Sequence, residues 1–271
     1  MTTIAVTNRK GGVGKTTHAL HLAAGLAAAG FNTALIDTDS QGHIAVSLDV
    51  PRTDALYDVL VEKEPIQSKV HLVDPSRYSR REYPAKAKLY VLPAYNKTYR
   101  IPHELGEFGT FAFLNLVDEI KRMYQVHFVI IDTSPTLKDF DGSIYLATDA
   151  FLYVTEAESL ALDGLDNAVA QMMGISQDRR THLKRETTIL GILPNKVRPN
   201  TDAHTIGIEE LQRKYGDLVW EPVTLRVAWA EASLTHQVLY TYAPSHRATQ
   251  EAWRVVERTV KAIDQWQRKT T

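Results

Sequence analysis

"TIAVTNRKGGVGKTTHALHLAAGLAAAG" (Thr2–Gly30) decides the fold. Thr2 to Asn8 is a short apolar run bounded by polar residues, and it predicts a buried strand. After Lys15, residues Ala19, Leu22, Ala23, Leu26 and Ala27 recur at helical spacing, and Gly30 supplies a C-terminal stop. Between strand and helix lie Gly11, Gly12 and Gly14. Strand, glycine turn and helix make the geometry that holds a triphosphate. Backbone N–H groups surround the phosphate, the helix dipole favours its charge, and glycine lets the chain come close with positive φ. Lys15 is placed to reach the β- and γ-phosphates and the Thr16 hydroxyl to ligate Mg²⁺, with Val13 and Thr17 completing the cradle.

Working outward, the same alternation repeats. "NTALIDTD", "LYVLPA" (Leu89–Ala94), "VHFVIIDTSP", "AFLYVTEA" and "TTILGILPNK" read as strands. "FLNLVDEIKRMYQ", "LALDGLDNAVAQMMG", a segment around Ile208 to Tyr215 and one from about Thr249 to Trp266 read as helices. Strands buried on both faces and separated by helices predict an α/β protein, a doubly wound, mostly parallel sheet flanked by helices. No repeat or linker divides the chain, so one domain over residues 1–271 is expected. The stretch from Asp74 to Arg100, with "RYSRREYPAKAK", is expected to be a mostly exposed excursion.

Composition narrows the chemistry. The net charge of −1 gives no global basic field, so any nucleic-acid contact must come from a local patch. Cysteine is absent, which excludes disulfides, thiolate metal sites and Cys-ligated clusters. No window approaches the 18 apolar residues of a membrane span and no signal peptide is evident, so a cytoplasmic protein is expected. Asp37 and Asp39 stand at the C-terminal end of the second strand, where α/β sheets build their sites. Beside a phosphate loop such carboxylates hold Mg²⁺ through water or orient an attacking water. Asp132, at the end of "FVIIDTSP", is a third candidate for Mg²⁺. His18 and His21 sit three apart on the first helix; they are expected to face solvent rather than share a metal.

The loop departs from G-x-x-x-x-G-K-[ST]: the first glycine position is Arg9, and Lys10 begins K-G-G-x-G-K-T-T. This spelling resembles the deviant Walker A motif of the MinD/ParA group of P-loop ATPases. "DTDSQG" is similar to the D-x-D-P-Q-G box of ParA-type partition ATPases, with Ser40 in place of proline. "IDTSP" nearly spells that group's "IDTPP". "GILPNKVRPN", "VTLRVAWAEA" and "YAPSHRATQEAW" match later stretches more loosely, with Thr224 where a proline is usual. The absence of cysteine separates the chain from nitrogenase iron proteins. The apolar positions of the C-terminal segment, Trp253, Val256, Val260, Ile263 and Trp266, fit a helix packed on the sheet rather than a membrane-binding tail of MinD type. Beginning directly at the first strand, the chain resembles the short form without an N-terminal helix-turn-helix.

The resemblance implies ATP and Mg²⁺ as cofactors and a homodimer on ATP binding. It implies that Lys10 crosses the dimer to the partner's phosphates, where an extra cation offsets charge in the transition state. It implies Asp39 as the residue that activates water, Asp37 as support for the metal, and Asn195 as the adenine contact. Non-specific DNA binding, a ParB-like adaptor and nucleoid association are implied by the same likeness. Candidate DNA-binding residues are Arg179, Arg180, Lys184 and Arg185 in "DRRTHLKRE", with Lys196, Arg198, Arg226 and Arg247. The expected function is partition of plasmid or chromosomal DNA. Positioning of a protein assembly or organelle, a dethiobiotin synthetase-like ligase, and an ATP-binding scaffold that scarcely hydrolyses are the alternatives.

Overall fold

The computed structural model describes residues 1–134, 141–157 and 159–270; Pro135 of the "IDTSP" motif lies outside them. Its strands are β1 (Thr2–Thr7), β2 (Thr33–Asp37), β3 (His71–Leu72), β4 (Leu89–Leu92), β5 (Phe128–Asp132), β6 (Ala150–Glu156) and β7 (Thr188–Asn195). The helices are α1 (Lys15–Ala29), α2 (His43–Ser47), α3 (Ala55–Leu60), α4 (Ile101–Leu105), α5 (Ala112–Tyr124) and α6 (Asp141–Ala147). They continue with α7 (Ser159–Asp178), α8 (Asp202–Tyr215), α9 (Val227–Leu234), α10 (Leu239–Tyr242) and α11 (Arg247–Thr270). None of the described helices is long and apolar enough to cross a membrane.

β1, β2 and β5 are buried along their whole length, which is why each reads as an unbroken apolar run. The sheet order is β3-β4-β2-β5-β1-β6-β7, and every pair is parallel except β3 with β4. The strand order thus runs away from β1 in both directions, and the crevice beyond its C-terminal end is where such sheets take ligands. Register brings the chemistry there: Asp37 pairs with Asp132 across β2 and β5, and Glu156 with Asn195 across β6 and β7.

Two apolar clusters cover the two faces. One joins α1, α9, α10 and α11; the other joins α3 to α8. A methyl group on Gly25 of α1 would stand 2.4 Å from Val256 Cγ2 and 2.7 Å from the Tyr240 hydroxyl, so only glycine permits this approach of α1 and α11. Val256 and Ile263 are buried and Trp253, Val260 and Trp266 pack partly buried beside them, so the C-terminal helix lies on the core as expected.

The short helices α2, α3, α4, α6, α9 and α10 were not legible, because none exceeds 8 residues and a period of 3.6 barely shows over so short a span. α8 starts earlier than its apolar pattern, at Asp202. The Asp74–Arg100 stretch is mostly exposed only as far as Lys88, and even there it is pinned: Tyr78 is buried and its hydroxyl donates to Ala87 O at 2.9 Å. β4 also lies within it, in the sheet.

His18 and His21 do not face solvent. They are 2% and 5% exposed, covered by α9 and α10, and both rings contact Trp229 at centroid distances of 5.5 and 5.0 Å. His21 Nδ1 donates to Thr17 O at 2.7 Å and Nε2 accepts the Leu239 N–H at 2.9 Å, which fixes the neutral tautomer. Burial therefore lowers its pKa from 6.5 to about 4. Below 6.5 the unfolded chain takes up a proton that the folded chain refuses until about pH 4, so stability falls as pH falls through that window. The loss from this ring reaches roughly 3 kcal/mol by pH 4. Thermal melts at pH 7 and pH 5 should show a larger drop in Tm for the native protein than for His21→Gln; equal drops would mean that the buried ring does not control the slope.

Candidate nucleotide and metal site

The glycine turn takes the expected form. Gly12 and Gly14 have φ of +75° and +102°, and Gly14 leads into α1. A methyl on Gly14 would stand 2.3 Å from Asn195 Nδ2, so glycine is required there for space as well as for conformation. Asn195, at the end of β7, donates from Nδ2 to Val13 O at 2.7 Å. It therefore braces the loop from the side. Lys15 is 5% exposed, and its ammonium donates to Lys10 O at 3.1 Å, folded back over the loop it is to serve.

Asp37 and Asp132 are fully buried side by side at the ends of β2 and β5. Asp37 Oδ2 and both carboxylate oxygens of Asp132 have no donor in hydrogen-bonding geometry. Burial pushes the Asp37 carboxyl well above the usual range, and the Asp132 charge adds to it. Burial raises Asp132 to about 7; the charge of Asp39 adds to this, while the Thr16 hydroxyl and the Lys15 ammonium nearby offset part of it. Water-excluded carboxylates without donors are costly unless a cation meets them, so this donor set fits a hard divalent ion. Among the described residues no group of three or more His, Asp or Glu could hold a metal alone. Two carboxylates and the Thr16 hydroxyl leave positions for phosphate oxygens and water, the usual arrangement for Mg²⁺.

Asp39 is half-buried just beyond this pair. Its N–H donates to Asp37 Oδ1 at 2.8 Å, and its own Oδ1 accepts the Gln41 N–H at 3.0 Å, so the turn holds the side chain at the mouth of the crevice. Thr38 ties β2 to β5 by donating from Oγ1 to Asp132 O at 2.7 Å.

The sequence reading missed Glu156. It ends β6, between the loop after β1 and Asn195 at the end of β7, and it binds Lys10 Nζ at 2.8 Å and Lys196 Nζ at 3.2 Å. Lys196 Nζ also donates to Gly12 O at 2.5 Å. The available signal was an acid at the end of the apolar run "AFLYVTE", one strand over from the loop.

The basic candidates separate clearly. Arg179 is not a surface residue: it is fully buried, paired with Asp149 at 2.7 Å, and donates to Thr148 O, Glu186 O and Thr187 Oγ1. Its place in a charge run misled, because this guanidinium staples the far end of the sheet. Arg185 forks onto Asp118 at 2.7 Å, Arg226 is held by Glu251 at 2.8 Å, and Lys196 lies over the phosphate loop. Arg180, Lys184, Arg198 and Arg247 are exposed, with Arg180 ion-paired to Glu186.

Residues 1–185 match a family model described as an AAA domain. The chromosome partitioning protein ParA of Myxococcus xanthus is 30% identical over 227 residues, covering 82% of this chain and 75% of that protein. The chromosome-partitioning ATPase Soj of Thermus thermophilus is 28% identical over 263 residues, covering 97% and 96%. Cyanothece McdA shares the fold: its apo form superposes with a TM-score of 0.77 at 16% identity over 96% of this chain and 99% of that one. An ATP complex of a McdA variant gives 0.76 at 16% identity over 96% of each chain. With the phosphate loop and the buried acidic pair already in place, the chain belongs to the ParA/Soj family of partition ATPases.

Proposed function

We propose that this chain is a Mg²⁺-dependent ATPase switch that dimerises on ATP, binds DNA without sequence preference and partitions plasmid or chromosomal DNA. A ParB-like adaptor stimulates its hydrolysis and releases it, and its place is the cytoplasm, on the nucleoid. The carrying observation is the set of buried carboxylate oxygens of Asp37 and Asp132, without donors in hydrogen-bonding geometry, beside Thr16 and Lys15 of the phosphate loop. The ParA and Soj relatives favour partition over a metabolic ligase.

In this reading Thr16, Asp37 and Asp132 hold Mg²⁺, which would offset the charge of the triphosphate. The backbone from Gly11 to Thr17 cradles the phosphates, and Lys15 leaves Lys10 O to meet them. Asn195, already against the loop, contacts the adenine. Asp39 orients the attacking water and accepts its proton. Lys10 leaves Glu156 and crosses to the nucleotide of a second copy. Turnover should be slow alone and rise with DNA and adaptor together; a rate above about 1 s⁻¹ with neither present would be ordinary for a metabolic enzyme and would overturn the switch.

DNA binding in this scheme rests on phosphate contacts, so the logarithm of affinity should fall linearly with that of salt concentration. Lys184→Ala, Arg198→Ala and Arg247→Ala should weaken binding equally on any sequence, and each lost contact should reduce the salt slope by about 1. Arg179→Ala should instead lower Tm, because it leaves Asp149 with Lys121 as its remaining ion-pair partner and strips the bonds to Thr148 O and Glu186 O from the buried end of the sheet. Unchanged slopes in all three surface variants would place the DNA face elsewhere.

A further inference from the structure

Glu156 closes an ionic bridge over the mouth of the phosphate loop. Its carboxylate spans two ammonium groups on either side, Lys10 from the loop after β1 and Lys196 from the turn after β7. Topology dictates the place: β6 lies between β1 and β7, so the residue ending β6 stands between the loop leaving β1 and the turn leaving β7. Lys196 has φ of +55°, an unusual conformation for a side chain with a Cβ, and from there its ammonium returns to Gly12 O at 2.5 Å. The Glu156 side chain is 18% exposed. Burial works against its charge, yet Lys10 and Lys196 outweigh it and hold its carboxyl below the ordinary range, so it stays ionised.

We propose that Glu156 is a positioning residue that keeps Lys10 within its own subunit, so that Lys10 reaches a second copy only when triphosphate and partner together outcompete this carboxylate. The inference rests on the trans role given to Lys10 above. A single carboxylate competes with a more highly charged triphosphate for the same ammonium, so the bridge sets a threshold rather than a block. Removing its charge takes the shared carboxylate away from both ammonium groups, which lowers the cost of releasing Lys10. The bridge is partly exposed, so salt must weaken it.

The test is Mg²⁺–ATPγS-dependent dimerisation measured by sedimentation. Glu156→Gln should lower the nucleotide concentration for half-maximal dimer by roughly 5- to 10-fold at low salt, with the difference shrinking as salt rises. Glu156→Asp keeps the charge with a shorter reach and should fall between. In a Lys10→Ala background, Glu156→Gln should leave the remaining dimerisation unchanged, an epistasis that a purely structural residue would not show. An unchanged or raised threshold in Glu156→Gln overturns the proposal, as does the same shift in the Lys10→Ala background. Should Glu156→Gln fold poorly, Glu156→Asp carries the test, and a threshold equal to native overturns it. If Lys10→Ala abolishes stimulated hydrolysis while Glu156→Gln does nothing, the bridge fails and the trans role stands; if Lys10→Ala hydrolyses normally, the trans role itself fails.

Discussion

Lys10→Ala is expected to lose stimulated hydrolysis by roughly 10³-fold or more, the scale of an arginine finger, while ATP binding by the monomer changes little. The two lysines of the loop already differ in the free protein. Lys15 is buried and directed at the loop, whereas Lys10 reaches outward, its side chain 40% exposed, to Glu156. A side chain on the rim can leave without disturbing the cradle, so its loss should not prevent the nucleotide from entering. Lys15→Ala removes the cation that faces both the phosphates and Asp132, and it should weaken ATP binding itself. Equilibrium binding of a fluorescent ATP analogue separates the two, paired with hydrolysis in the presence of DNA and adaptor. If Lys10→Ala lost binding to the extent of Lys15→Ala, both lysines would serve the same nucleotide.

How each feature is held explains whether the sequence disclosed it. β1, β2 and β5 are buried on both faces, so their apolar runs survive in one dimension, and Gly12 and Gly14 announce themselves because no other residue suits their backbone. Asp37, Asp39 and Asp132 were legible as acids at or just past the C-terminal ends of apolar runs, where doubly wound sheets build their sites; that β5 stands between β1 and β2 was not. Burial of His18 and His21 was not legible. Its cause is Trp229 and Leu239, more than two hundred residues along the chain, and nothing local to α1 marks that cover. Arg179 shares a charge run with Arg180, yet its partner Asp149 comes from the turn before β6; only the folded sheet tells the two arginines apart. Glu156 was invisible for the same reason: an acid at a strand end means nothing until β6 is known to lie between β1 and β7.

Asp39 offers a second large effect, and two substitutions there separate charge from turn geometry. Asp39→Ala removes both the carboxylate and the acceptor for the Gln41 N–H, which is 3.0 Å from Oδ1, so a loss of activity could come from a displaced turn. Asp39→Asn keeps an oxygen in the acceptor position and removes only the charge. If Asp39 orients water and takes its proton, both variants should fall by about 10²- to 10⁴-fold in stimulated turnover, the usual contribution of a general base. Both should still bind Mg²⁺–ATP, because the proposed scheme gives the cation to the buried pair Asp37 and Asp132 and not to Asp39. They should also remain on DNA as ATP dimers that do not release when the adaptor is added. Loss of the negative charge should relieve its neighbours as well, since Asp39 pushes up the carboxyls of both Asp37 and Asp132. Magnesium-dependent nucleotide binding in Asp39→Asn should therefore shift to lower pH, the direction in which an easier deprotonation of Asp132 moves it. A variant with native turnover would remove Asp39 from the chemistry. One that hydrolyses slowly but fails to bind Mg²⁺–ATP would make it a ligand of the metal instead.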